Sequence, residues 1–365
     1  MDKTGIMDTK EIARKFDIKG EVLDIKPLGN GLINDTYLIT TEAGAPDYVL
    51  QHINNAVFKD VELLHHNIDA VTAHIRGKLE KAGEKDIDRK VLSFVKVKGG
   101  DKTYLFDGEK YWRISVFIPD TVTKEEVNPE SAYLVGKAFG QFEAMLADIP
   151  VKLGETIPDF HNMELRSRQL KEAVAKDAAG RMSDPEVKCI LAEMEKYDFE
   201  MCKAERMYRE GKLPKRICHC DTKVNNMLFD RDGNVLCVID LDTTMPGFVF
   251  SDFGDFLRSG ANTVAEDDPN IDKIEFRMEI FKSFAKGYIE SAGFLTQTEK
   301  ENLPYGTLLF QYMQAVRFFT DYINGDTYYK IKYPEHNLVR TRNQMTLFRS
   351  TLKHYDEMVE YIKNL

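Results

Sequence analysis

The hydrophobic pattern of this chain changes period once, near residues 117–121, and that change limits the folds open to it. Upstream, residues 21–54 carry three short apolar-polar runs split by turn-forming stretches, Gly29-Asn30-Gly31 and residues 42–47. Short alternating runs separated by Gly, Asn and Asp form antiparallel strands. Val61, Leu64, Ile68, Val71, Ile75 and Leu79 then recur at steps of three and four, which marks one amphipathic helix. Residues 91–97, 104–106 and 111–116 read as further strands, the last two joined at Asp107-Gly108. Downstream, helical spacing dominates over residues 130–146, most of 162–211 and 270–365. One clear strand signal remains there, a hairpin of residues 227–229 and 235–239 around the turn 230–234. A helix laid on an antiparallel sheet, followed by a larger helical part, is an α+β arrangement. The expected domains are residues 1–117 and 118–365.

Charge and composition exclude several classes of function. The net charge of −10 argues against a duplex nucleic-acid binder, which needs a basic face to displace counterions. The apolar run at 91–97 is far too short to span a bilayer, and residues 1–10 are polar, so a cytoplasmic protein without a membrane partner is expected. Five cysteines without regular spacing suit a reducing compartment. Cys218-His219-Cys220 lacks a second ligand pair at zinc spacing.

The chemistry is concentrated in His219-Cys220-Asp221-Thr222-Lys223-Val224-Asn225-Asn226, which precedes the hairpin, and in Asp240, which follows it. A hairpin brings its two outer ends together, so Asn226 and Asp240 are expected to converge as hard oxygen ligands for Mg²⁺. Asp221 would accept a substrate proton, and Lys223 would reach the transferred phosphoryl group as a compact cation. The order His-x-Asp-x-Lys-x-x-Asn matches the catalytic loop of protein kinases and of small-molecule kinases. A protein-kinase-like fold of two lobes, using ATP and Mg²⁺, is therefore expected. Asp252-Phe253-Gly254 imitates a kinase metal motif, but Asp240 follows Asp221 by 19 positions, room for one loop and one hairpin, whereas Asp252 follows by 31. The metal is accordingly assigned to Asp240. Asp252 is expected to cap a helix or to tie down the loop through backbone N–H groups. Asp242 either assists the metal or is structural. In the first lobe, Gly29, Gly31 and Asn34 would let backbone approach a triphosphate. Phe117, at the hinge, is expected beside the adenine. Gln51 occupies the third-strand position where a kinase carries a cation, and an amide supplies no charge. A nucleotide-binding module without turnover is the reading that Gln51 alone would favour.

The strings GNGLINDTYLITT, YVLQHIN, HCDTKVNNML, VIDLDTTMPG, DFGDFLRSGANTVAEDD and KYPEHNLVRTR together resemble the bacterial N-acetylhexosamine 1-kinases of the aminoglycoside phosphotransferase and choline kinase superfamily. The resemblance implies phosphorylation by ATP and Mg²⁺ of the anomeric hydroxyl of N-acetylglucosamine or N-acetylgalactosamine, giving the sugar 1-phosphate. It puts the catalytic base on Asp221, the metal-side amide and carboxylate on Asn226 and Asp240, and sugar contacts on Arg317 and Tyr328. Asn34 and Arg340 are read as further acceptor-side residues. Leu32 stands where the best-known relative has a histidine near the sugar, which leaves open another small alcohol as acceptor, such as an amino alcohol, an aminoglycoside or another sugar. Residues 317–342 mix aromatics with Arg317, Lys330, Lys332, Arg340 and Arg342, a surface that repels a polycation and suits a neutral sugar.

Overall fold

The computed structural model describes residues 8–29, 34–124 and 126–365. The chain divides into two compact units: Met1–Val122 with Asp148–Pro158 and Leu228–Thr244, and Thr123–Ala147 with Asp159–Met227 and Met245–Leu365. The segments 148–158 and 228–244, which the sequence pattern groups with the helical part, thus belong to the first unit.

The first unit opens with a short helix α1 (Thr9–Ala13), followed by β1 (Val22–Pro27), β2 (Asp35–Thr41) and β3 (Tyr48–Ile53). Helix α2 (Val61–Lys81) starts where the Asp60 carboxylate accepts from Leu63 N–H, an N-cap, and β4 (Tyr104–Phe106) and β5 (Tyr111–Val116) follow. The sheet runs β1-β2-β3-β5-β4, antiparallel throughout. Because side chains alternate along a strand, the register fixes two opposite faces. Ile39, Tyr48, Leu50, Trp112 and Ile114 pack with Ile12 and Phe16 into one core, each buried aliphatic or aromatic chain contributing roughly 1.5–3 kcal/mol. Thr36, Gln51, Arg113 and Tyr104 form a cross-strand row on the other face.

The strand expected at 91–97 is not formed. Only single bridges occur there, Phe94 to Ser115 and Phe16 to Val97. The outer edge of β5 is already taken over Tyr111–Arg113 by β4, so residues 93–95 find room for two rungs, Val95 N–H to Ile114 at 2.8 Å and Val116 N–H to Ser93 at 2.9 Å.

The second unit contains α3 (Pro129–Leu146), α4 (Met163–Lys176), α5 (Pro185–Met201), α6 (Lys203–Arg209) and β6 (Arg216–Cys218). After the hairpin of β7 (Met227–Phe229) and β8 (Val235–Val238), the chain forms β9 (Met245–Gly247) and α7 (Phe250–Gly260). It ends with α8 (Met278–Ser291), α9 (Gln297–Glu301), α10 (Leu303–Ile323), α11 (His336–Leu352) and α12 (Tyr355–Lys363). Strands β6 and β9 pair over Arg216–Cys218, a ladder that three-residue segments, one holding Pro246, do not announce in sequence. Helices α3 and α8 cross with backbones touching: a Cβ on Gly136 would lie 2.2 Å from the Phe284 carbonyl oxygen, and one on Gly287 2.1 Å from that of Tyr133. Only glycine permits that approach. It holds α3, with its buried Glu143, against the rest of the unit. Among the described residues no helix is long and apolar enough to cross a membrane.

Candidate active site

Residues 219–226, between β6 and β7, form the loop that carries the expected catalytic groups. Helix α7 holds it from beneath. The Asp252 carboxylate accepts from the N–H groups of His219 and Cys220, each at 2.7 Å, and Asp255 accepts from Thr222 N–H at 3.2 Å. Thr222 Oγ1 donates to the Asp252 carbonyl at 2.7 Å. Asp252 therefore ties down the loop, and capping is not its role, since the N-cap position of α7 is Val249. Cys220 is left-handed, φ 63°, a conformation that a non-glycine residue keeps only when its surroundings impose it. The His219 ring lies against Phe139 and Phe142, with centroids 5.6 and 5.8 Å away, so this histidine fills the core under the loop.

Above that base the functional groups meet. Lys223 Nζ lies 2.6 Å from Asp221 Oδ1. Asn226 Nδ2 donates to the Asp221 carbonyl at 2.8 Å and to Oδ2 at 3.0 Å. Burial opposes ionisation of Asp221, but the charge and hydrogen bond of Lys223, aided by Asn226, bring its pKa below the ordinary value. It is thus an anion at neutral pH, oriented on both oxygens. Lys223 is raised although burial acts against it, because Asp221 and Asp255 stabilise its charge. With the nitrogen of Asn226 engaged on Asp221, its buried side chain keeps the amide oxygen as the group suited to a hard cation.

In the first unit, Asp240 follows β8 in a left-handed conformation, φ 59°, and leads into a tight turn at Leu241–Thr243. Oxygen ligands of the types that Asp240 and Asn226 supply fit Mg²⁺. The turn itself is anchored at Asp242, which is buried. Arg113 Nη1 and Asn34 Nδ2, the latter at 2.7 Å, bind its two carboxylate oxygens. Thr156 Oγ1 donates to its carbonyl at 2.9 Å, and Asn67 Nδ2 to that of Thr244 at 3.0 Å. Asp242 therefore anchors the turn through both its oxygens.

The other expected nucleotide residues fare differently. Gly29 is left-handed, φ 69°, as a turn requires. Gly31 and Leu32 lie outside the described residues. Asn34 is engaged at both ends of its amide, since Oδ1 also accepts from Asn54 N–H at 2.9 Å, so it ties the start of β2 to Asp242. Gln51 accepts from Arg113 Nε at 2.9 Å and faces it across β3 and β5. Phe117 N–H donates to the Asp47 carbonyl at 2.9 Å just past β5.

Of the expected acceptor-side residues, Arg317, Tyr328 and Arg340 lie in the second unit and Asn34 in the first. The Arg317 guanidinium lies over Phe160 and Tyr329, 5.2 and 5.7 Å from the ring centroids. Tyr328, largely exposed, meets Tyr329 edge-on at 4.8 Å, and Tyr329 packs on Phe318 at 4.8 Å. Arg340 lies over Phe318 at 5.3 Å. The buried Asp321 fixes this stretch by accepting from the N–H groups of Thr327, Tyr328 and Tyr329. Sequence did not single out Arg166, whose pKa falls to about 10 through burial and the charge of Arg317. Lys332 and Arg342 belong elsewhere, in ion pairs with Asp267 and Glu186.

Sequence also missed Glu143, whose place on amphipathic α3 gives no sign that it is buried. Tyr288 O–H donates to its Oε2 at 2.8 Å, while Oε1 is buried without a hydrogen-bond donor. Ligand atoms of Glu143, Asp252 and Cys218 lie within 4.8 Å of one another. A proton on Glu143, turned toward the Asp252 carboxylate, accounts for that oxygen. Burial first, then the charge of Asp252, raise Glu143 well above its ordinary value of 4.5. The native state thus holds a proton that the unfolded chain releases above that value. Stability is greatest on the acid side of this window and falls by up to about 1.4 kcal/mol per pH unit as pH rises toward the native pKa. In Glu143→Gln the amide can donate to Asp252 and accept from Tyr288 without taking up a proton. Melting temperatures from pH 5 to 9 should fall less steeply for Glu143→Gln than for wild type; parallel curves would refute a protonated Glu143.

The sequence matches the phosphotransferase enzyme family over residues 24–282. The fold is similar to the crystal structure of an aminoglycoside phosphotransferase from Alicyclobacillus acidocaldarius, with TM-score 0.65 and 13% identity, covering 100% of this chain and 98% of that one. It is also similar to the Plasmodium vivax ethanolamine kinase, with TM-score 0.55 and 13% identity over 96% of this chain and 86% of that one. A spectinomycin phosphotransferase in complex with ADP and spectinomycin matches with TM-score 0.51 and 14% identity over 99% and 98% of the two chains. These likenesses agree on one α+β, protein-kinase-like fold, and the family match spans well over half of the sequence. The chain belongs to the phosphotransferase enzyme family.

Proposed function

We propose that this phosphotransferase moves the γ-phosphoryl group of ATP to the anomeric hydroxyl of N-acetylglucosamine or N-acetylgalactosamine. The observation that carries the transfer chemistry is the Asp221 carboxylate, ionised, held by Lys223 and Asn226, and fixed on α7 through Asp252. Asp221 orients the acceptor hydroxyl and takes its proton late, as the oxygen forms its bond to phosphorus. An anomeric hydroxyl is more acidic than an ordinary alcohol, so orientation outweighs basicity in this role. Lys223 meets charge on the transferred group. Asn226 and Asp240 would hold Mg²⁺, which when bound neutralises charge on the phosphate oxygens. ATP as donor is supported by the ADP complex of the spectinomycin phosphotransferase.

Support for a sugar acceptor comes from Arg166, Arg317 and Arg340 among Phe160, Phe318, Tyr328 and Tyr329. Glu266 is ion-paired to Arg258, and that charge holds its carboxyl below the ordinary pKa against burial. Aromatic faces stack on sugar rings, while three guanidinium groups repel a polycation. The resemblance noted in sequence supplies the N-acetyl group and the anomeric position. ATP consumption should be measured with N-acetylglucosamine, N-acetylgalactosamine, ethanolamine and an aminoglycoside. Turnover is expected on the two hexosamines and not on the aminoglycoside; the reverse order would move the acceptor to the amino compounds.

A further inference from the structure

A kinase-like first unit with Gln51 in the third-strand position lacks the usual cation there, yet the charge has not left the sheet. Arg113 stands directly across from Gln51 on β5 and donates to its Oε1 at 2.9 Å. The same guanidinium, 2% exposed, is ion-paired with Asp242. Gln51 is itself oriented by donating to Thr36 Oγ1 at 3.3 Å. The row therefore runs Thr36, Gln51, Arg113 and Asp242, and Asn34 closes it on the second Asp242 oxygen. Burial first, then the charge of Arg113, lower the pKa of His65 to about 2, so the imidazole beside this pair adds no competing charge.

We propose that Arg113 is a positioning residue: from β5 it supplies the buried cation that residue 51 lacks, and through Asp242 it holds the turn that presents Asp240. A buried ion pair adds little net stability over apolar groups of equal volume, so stability alone does not account for this one. Its position does. Asp242 lies two residues beyond Asp240, in the turn that Asn67 and Thr156 also hold, and Asp240 keeps a left-handed conformation that needs such anchoring. Removing partners that orient a metal ligand typically lowers metal affinity by about 10–100-fold.

This inference rests on the phosphotransfer reading, and the test separates the two. The full chain is titrated calorimetrically with a non-hydrolysable ATP analogue, once in excess Mg²⁺ and once in EDTA, for wild type, R113Q and Q51K/R113Q. R113Q is expected to weaken binding about 10–100-fold in Mg²⁺ and to change it little in EDTA. Q51K/R113Q, which returns the cation to β3 directly across from residue 113, is expected to recover most of the loss. A folded R113Q with wild-type Mg²⁺-dependent binding would overturn the proposal, as would equal losses with and without Mg²⁺. Should R113Q lose its cooperative melting transition, Q51K/R113Q decides: recovery of melting and of Mg²⁺-dependent binding supports the role, and a folded double variant that still binds weakly refutes it. A wild type that binds no nucleotide in Mg²⁺ would instead remove the phosphotransfer reading, and this inference with it.

Discussion

Asp221→Asn is expected to lower kcat by about 10²–10⁴-fold, the range for loss of a positioned proton acceptor, while the protein stays folded and binds nucleotide. The substitution keeps the size and shape of the side chain, and Asn226 can still donate to the backbone carbonyl of residue 221. What is lost is the anion that Lys223 and Asn226 hold ready. Initial rates on the best hexosamine, with melting and nucleotide titration on the same preparation, separate chemistry from folding. Wild-type turnover in the variant would remove Asp221 from the mechanism. So would a loss that appears only in the acceptor KM, because uniform binding and not transition-state stabilisation would then have been removed.

Asp252→Ala carries the largest expected effect on stability, about 3–5 kcal/mol. The carboxylate is fully buried and is the acceptor for two loop N–H groups at 2.7 Å each. Truncation would strand both donors in a region that water does not reach. The consequence extends beyond stability, since His219 and Cys220 lead directly into Asp221. Asp252→Asn keeps an oxygen for one of these donors but turns its amide nitrogen toward the other. It should fall between wild type and Asp252→Ala in both denaturant midpoint and activity. A midpoint for Asp252→Ala within experimental error of wild type would show that the loop does not depend on this helix.

How much of this was legible follows the range of the interactions. The faces of the sheet were, because Ile39, Leu50 and Ile114 alternate with Thr36, Gln51 and Arg113 along β2, β3 and β5, and local alternation is a property of the strand itself. The loop at 219–226 was visible as a spacing, since its groups lie within five residues of Asp221. The strand expected at 91–97 failed because its apolar run says nothing of whether an edge is available, and β4 had taken most of it. Arg113 and Asp242 stand 129 residues apart, and Glu143 and Tyr288 are 145 apart. No window of sequence contains both members of either pair. The partners of Asn34 were out of reach for the same reason: beside a glycine turn it suggests a ligand contact, and nothing nearby announces that its amide engages Asn54 and Asp242. A charged residue inside an otherwise apolar strand, as in Tyr-Trp-Arg-Ile-Ser-Val of β5, was the available signal for Arg113.

The phosphate position on the product separates an anomeric acceptor hydroxyl from every other one. Wild-type protein is incubated with ATP, Mg²⁺ and N-acetylglucosamine, and the product is assigned by ³¹P NMR with proton correlation. A single new phosphomonoester coupled to the anomeric proton is expected, absent when Asp221→Asn replaces the wild type. A phosphate coupled to any other sugar proton, or undiminished product from Asp221→Asn, would contradict the proposed transfer.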